Sequence, residues 1–359
     1  MGSSNTHGQN ALHFVGSVPL ASGREVFETL ARRFGTWLNR IPDGETGERT
    51  NWIQYQEDVF ARHPDFQRIE GPADPRSGTA KRAQTGKFDL KSGAKPTPAS
   101  FGDLGYARSA LESYADYKAL RASGIISPGQ KFMYALPSPY NVISFCIMPD
   151  SQAAAEIPYE ARLLEELDEI LAKIPHQDLS IQWDCAHDMQ AFDGARTPWF
   201  SPAREGIIER LARLGNRVPV DVEMGYHFCY GSYGGRHFVE PKSTEAMVDL
   251  ANGILGKLTR SLDYLHVPVP IERDDDAYFE PLRRLKRPEG MEVYLGLIHE
   301  RDGEGGTLRR HATAKRYLND FGLSTECGFG RYQPEEALQI LETHTKVMQA
   351  LYSRRGLGN

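Results

Sequence analysis

The chain lacks most of the features that mark specialised protein classes. It has only four cysteines in 359 residues, Cys146, Cys185, Cys229 and Cys327, and their spacing is not paired. A disulfide framework is therefore not expected, and a reducing, cytoplasmic setting is. No apolar run approaches the roughly 20 residues that a membrane helix needs. Basic residues do not outnumber acidic ones: 42 Lys and Arg against 48 Asp and Glu leave a net charge of −6, with no long basic run. A nucleic-acid partner is not expected from such a distribution. The tail from Met1 to Asn10 is polar and has neither a basic start nor an apolar stretch, so no signal peptide is expected there. Internal repeats and low-complexity tracts are absent too. What remains is an ordinary globular composition, 40% hydrophobic and 25% charged, with its cysteines left for packing or for chemistry.

Apolar runs of strand length alternate with amphipathic segments of helix length. Strands are predicted at His13–Val18, Arg40–Pro42, Lys131–Leu136, Leu179–Asp184, Val218–Met224, Tyr264–Val269, Glu292–Ile298 and Ser324–Cys327. Between them, Val26, Leu30, Phe34 and Leu38 repeat at four-residue steps, and Leu163, Leu164, Leu167, Ile170, Leu171 and Ile174 line one helical face. Strand–helix alternation implies parallel strands with helical crossovers. Eight such units at this length predict an α/β fold with a single (β/α)8 TIM barrel over residues 11–353, preceded by the polar tail 1–10. An open doubly wound sheet would want a Gly-rich phosphate turn after its first strand, and Gly16-Ser-Val-Pro-Leu is not one. After the second strand–helix unit, a Pro- and Gly-rich insertion from His63 to Ser100 carries Lys81, Arg82, Lys87 and Lys91 and reads as a lid or a disordered excursion.

Barrels of this kind keep their chemistry at the C-terminal ends of the strands. Those ends hold Ser17, Asp43, Ser138, Asp184, His227 with Cys229, His266, His299 and Cys327. In extended chain, residues i and i+2 point the same way, so His227 and Cys229 can share one ion while Phe228 points away. Two sulfurs and a nitrogen, with Cys327 joining at the common mouth, suit zinc better than a hard cation. Packing is the competing reading, because cysteine is often a small buried apolar residue. The Gly303–Gly306 turn with Arg309 and Arg310 reads either as structural or as an anion site, and the Asp274–Asp276 run as a helix cap.

Several blocks, in order, resemble the cobalamin-independent methionine synthases. They are Val15-Gly16-Ser17-Val18-Pro19, Gly44-Glu45-Thr46-Gly47-Glu48-Arg49, Ile181-Gln182-Trp183-Asp184, His227-Phe228-Cys229 and Cys327-Gly328. The resemblance implies substrate binding by Gly16, Ser17, Glu45 and Asp184, the two carboxylates gripping an amino group. It also implies zinc held by His227, Cys229 and Cys327. The family's fourth ligand is a glutamate after strand six; here that stretch runs from His266 to Glu272, and Glu272, His266 or an open position are the alternatives. The family has two barrels where this chain has room for one. Ile143 stands where the folate-stacking tryptophan would be, and Cys185-Ala186 replaces a Glu-Pro pair.

The function expected is zinc-dependent methyl or alkyl transfer to a small, homocysteine-like thiol from a donor other than a folate polyglutamate. Asp184 and His299 are the candidate catalytic residues, and the partners are a small thiol and an alkyl donor. A metal-free lyase or decarboxylase working through Asp43 or Asp184, and a non-catalytic barrel that binds zinc or a thiol, are the alternatives.

Overall fold

The computed structural model of the protein describes residues 12–69, 87–231, 237 and 239–353. The polar tail 1–10, with Lys81 and Arg82 of the insertion, lies outside the described residues. In chain order the elements begin with α1 (Gly23–Phe34), β1 (Arg40–Pro42), α2 (Gln56–Arg62), β2 (Phe66–Ile69) and β3 (Lys87–Leu90). They continue with α3 (Tyr106–Ala122), β4 (Lys131–Pro137), α4 (Pro139–Cys146), α5 (Pro149–Lys173), β5 (Leu179–Cys185), α6 (His187–Phe192) and α7 (Ala203–Arg217). Then follow β6 (Glu223–Phe228), α8 (Glu245–Leu255), β7 (Tyr264–Pro268), α9 (Asp276–Phe279), β8 (Glu292–Ile298), α10 (Gly303–Ala314), β9 (Gly322–Thr325) and α11 (Pro334–Ser353).

Seven strands form one parallel sheet in the order β1-β4-β5-β6-β7-β8-β9. The sheet curls. Arg40 on the edge strand β1 reaches Glu223 of β6 at 2.6 Å and Glu292 of β8 at 2.5 Å, and its guanidinium lies 4.0 Å from the Tyr264 ring centroid on β7. Strands so far apart in sheet order can meet one side chain only around a shared interior. The eighth stave expected at His13–Val18 is not a strand. Leu12 alone makes isolated parallel bridges, one to Leu38 and one to Leu323, and so touches both edges of the sheet. His13 N donates to Leu323 O of β9, but the backbone after it is satisfied elsewhere: the Val15 carbonyl accepts from Gln182 Nε2 at 2.6 Å, Val18 N donates to Gly44 O, and Phe329 N donates to Ser17 O. A ladder is missing because side chains and loops have taken its hydrogen bonds.

Local signals explain where elements start. Ser22 caps α1 by accepting from Glu25 N, and Val26, Phe27, Leu30, Ala31 and Phe34 bury one face of that helix. Asp275 caps α9 through Tyr278 N, which is the capping use anticipated for the acidic run. Three boundaries move relative to the sequence reading. The last strand, expected at Ser324–Cys327, is Gly322–Thr325, so Cys327 lies beyond it. The strand expected at Val218–Met224 is Glu223–Phe228, so His227 sits inside it rather than after it. Gly303–Gly306 is the first turn of α10, and Arg310 is buried there against Asp302, Leu297 O and Ile271 O, a structural use. Within the inserted segment, β2 and β3 pair as an antiparallel hairpin. Phe60, Phe66, Phe88 and Phe101 pack together beneath it, and Phe88 bridges to Ile147.

Candidate metal centre and its carboxylates

The strand ends deliver side chains to one mouth. Strand register places Asp184 of β5 beside His227 of β6, and His227 beside His266 of β7. Cys229 lies two residues beyond His227, and Cys327 two residues beyond the end of β9. One ligand atom each from His227, Cys229 and Cys327 lies within 4.8 Å of the others, the one such group of three among the described residues. Cys229 Sγ donates to Cys327 Sγ at 3.5 Å, and His227 Nε2 is 3.8 Å from Cys327 Sγ. The shared proton makes the two thiols unequal. That hydrogen bond holds Cys327 below the ordinary thiol range against its burial, while the same bond, and then burial, pushes Cys229 up.

Behind the three ligands, His227 Nδ1 lies 2.8 Å from His266 Nδ1, and His266 Nε2 lies 2.9 Å from the Thr325 carbonyl. Burial lowers His227 well below its usual value, and lowers His266 to about 4 against the pull of the Thr325 and Phe228 carbonyls. Both rings are therefore neutral.

A second group faces the same mouth. The turn after β1 needs glycine: Gly44 has φ +77, and a Cβ there would lie 2.5 Å from Val26 Cγ2. Asp43 Oδ1 accepts from Glu45 N, closing that turn, and Glu45 itself has φ +49. Glu45 packs on Gly16, whose absent Cβ would stand 3.3 Å from Glu45 Oε1. Arg49 is committed to Asp43 at 2.5 Å and lies 3.9 Å from Glu45. Across from them, Asp184 Oδ1 accepts from Gln182 Nε2 at 2.9 Å. Glu45 and Asp184 are each 6% exposed. Burial raises Glu45 to about 7, Arg49 opposing it and Asp43 adding to it. Burial, then the Glu45 charge, raises Asp184 well above the carboxylate range. Two carboxylates whose burial outweighs the attraction of Arg49 and Arg331 make a place for a cation.

Ser17 joins the two groups. Its Oγ accepts from Gly330 N at 3.1 Å, and the Cys327–Gly330 loop packs so closely that a Cβ on Gly328 would lie 2.4 Å from Ser17 Oγ. The remaining sequence candidates stand apart. Glu272 is exposed on a turn and outside the converging group. His299, after β8, has Nε2 on the Val269 carbonyl at 2.9 Å and is lowered to about 3 by burial and by Arg310. Ile143 is fully buried in α4. Gln182 is the residue the sequence reading gives no role: it connects His13, the Val15 carbonyl and Asp184. Its signal was its place inside the Ile181–Asp184 block.

No protein-family model matches the chain, and no curated protein matches it. Solved structures do. A B12-independent methionine synthase from Shewanella sp. W3-18-1, in complex with selenomethionine, is 16% identical with a TM-score of 0.54, over 93% of this chain and 86% of that one. A putative vitamin-B12 independent methionine synthase from Listeria monocytogenes is 15% identical with a TM-score of 0.52, over 96% of this chain and 99% of that one. At these identities the likeness is one of fold, and it runs nearly end to end.

Proposed function

We propose that the chain transfers a methyl or related alkyl group to the sulfur of a small amino-acid thiol, with zinc held by His227, Cys229 and Cys327. The observation that carries this is the convergence of one imidazole nitrogen and two thiol sulfurs at the strand ends. That donor set is soft and fits zinc, and three protein ligands leave a fourth position for substrate, as catalytic zinc sites do. Zinc there would keep a substrate thiol deprotonated at neutral pH, where a free thiol is mostly protonated.

The chain's own residues do the rest. Cys327 and Cys229 would bind as thiolates, each giving up its thiol proton to solvent on loading. Glu45 and Asp184 receive the substrate ammonium and become ionised as it enters. Ser17 and Gly16 hold the loop and the carboxylate at a fixed spacing. Orienting the sulfur by its amino group aligns it with the alkyl carbon of the donor. The donor's bond to that carbon breaks as the S–C bond forms, and its electron pair departs with the dealkylated donor. This alignment is where positioning lowers the barrier. The fold shared with a methionine synthase solved with selenomethionine, an amino acid with a methylated selenium, supports a substrate of this size.

Calorimetric titration of zinc-loaded protein with homocysteine and with homoserine tests the reading. Homocysteine should bind at least tenfold more tightly. Equal affinity for the two would remove the thiol from the account.

A further inference from the structure

The imidazole behind the metal ligands has both nitrogens committed. His266 Nε2 faces the Thr325 carbonyl at 2.9 Å, and a carbonyl only accepts, so that nitrogen carries a proton. His266 is 0% exposed, and a second proton would leave a charge buried there. A neutral ring carries one proton, and Nε2 is the nitrogen with a carbonyl at hydrogen-bond distance; Nδ1 therefore presents a lone pair, even with the Phe228 carbonyl near the ring. His227 Nδ1 lies 2.8 Å away, a distance at which two bare nitrogens would repel, so His227 must donate. The ring proton of His227 is thereby on Nδ1, and its Nε2, the atom 3.8 Å from Cys327 Sγ, is bare. We propose that His266 is a positioning residue, outside the metal's ligand set, that fixes the ring proton of His227 and keeps Nε2 open toward the ion.

The hydrogen-bond chain runs from β6 through β7 to the end of β9, the three strands around the ligands. It orients the imidazole as well as its proton, because a ring anchored at Nδ1 cannot rotate away from the cysteines. The Thr325 carbonyl belongs to the same strand end that delivers Cys327, so the device also ties one ligand's orientation to the other's backbone. It removes His266 as a fourth ligand: neither of its nitrogens is left for an ion. The metal side of this inference rests on the zinc reading above, whereas the proton placement stands on the hydrogen bonds alone.

The test therefore has two arms on the full chain. In metal-free protein labelled with 15N-histidine, ring signals of His227, assigned by their loss in His227→Gln, should report the Nδ1–H tautomer. In His266→Leu they should move toward Nε2–H. Zinc and Co2+ affinities, measured by chelator competition, should fall roughly tenfold to a hundredfold in His266→Leu. They should largely recover in His266→Gln, whose amide can donate to Thr325 and accept from His227. A Nε2–H tautomer in the wild type, or wild-type metal affinity in His266→Leu, would overturn the proposal. Wild type that bound no zinc but held Nδ1–H would sink the zinc reading and leave the proton placement standing. Should His266→Leu not fold, the wild-type tautomer and the glutamine variant still decide.

Discussion

At the scale of single residues, the account turns on two carboxylates that sit where packing alone would not place them. Burying Glu45 and Asp184 as charges opposes folding, so each holds its proton unless a cation arrives, and Arg49 lies nearer Asp43 than Glu45. Glu45→Gln or Asp184→Asn removes a charge-assisted hydrogen bond to a substrate ammonium, a loss of roughly 1.5–3 kcal/mol. Homocysteine affinity should fall about tenfold to a hundredfold by calorimetry, with zinc content unchanged; equal affinities in all three proteins would show that no amino group binds there. The pH dependence has a definite sign. Glu45 faces Gly16, Arg49, Asp43, Asp184 and Arg331 and is raised from 4.5 to about 7. Ligand affinity should therefore strengthen as pH rises from about 6 to 8, because the carboxylate ionises across that window. Stability runs the other way. The folded state holds this proton longer than the unfolded chain does, so Glu45 weakens the fold as pH climbs from about 4.5 toward 7. Glu45→Gln should flatten that slope in denaturation curves taken at several pH values. If it instead lowered the midpoint at every pH, the carboxylate would be serving the structure. The sequence showed the types and order of these residues through short blocks, but not how far burial outweighs Arg49 and Arg331, which depends on the folded packing.

Elements were legible where periodicity was strong and blurred where side chains replaced backbone pairing. The helical face around Leu163–Ile174 and the buried runs of β4, β5 and β8 match the pattern read from the chain. The segment at His13–Val18 misled because its apolar run is real while, past the bond from His13 N to Leu323 O, its hydrogen bonds go to Gln182, Gly44 and Phe329. Strand β6 starts later than expected because Pro219 and the turn after α7 take the residues before it. One contact between elements positions the Cys327 side of the candidate site: the Cys327–Gly330 loop against Ser17. Gly328→Ala would bring a Cβ within 2.4 Å of Ser17 Oγ and 2.9 Å of Ser17 N, and a backbone atom cannot yield cheaply. Overpacking of this kind costs about 1–3 kcal/mol. Because relief moves the Cys327 loop, zinc affinity should fall about tenfold while far-UV circular dichroism stays unchanged. Unchanged affinity would mean that the loop position does not control the site.

At the scale of the molecule, the curled sheet has an ionic floor and a mouth where His227, Cys229 and Cys327 converge. The floor is Arg40, held by Glu223, Glu292 and Tyr294 and lying over Tyr264. Arg40→Met leaves two carboxylates without their cation, which typically destabilises by about 3–5 kcal/mol. Chemical denaturation should show that loss, with zinc stoichiometry of the folded protein unaltered; a loss below about 1 kcal/mol would mean that the cluster is no keystone of the closure. Neither its partners nor the incomplete eighth stave could be read in advance, since both depend on strands far apart in sequence. The described residues include no helix long and apolar enough to cross a membrane. The mouth was more legible than the floor, because ligand types announce themselves and ion pairs do not. Elemental analysis of protein purified without chelator, beside Cys327→Ser and the triple substitution of His227, Cys229 and Cys327, tests the central claim most directly. About one zinc per chain is expected in the wild type, a sharp drop in Cys327→Ser and none in the triple variant. Full zinc in the triple variant would contradict that claim.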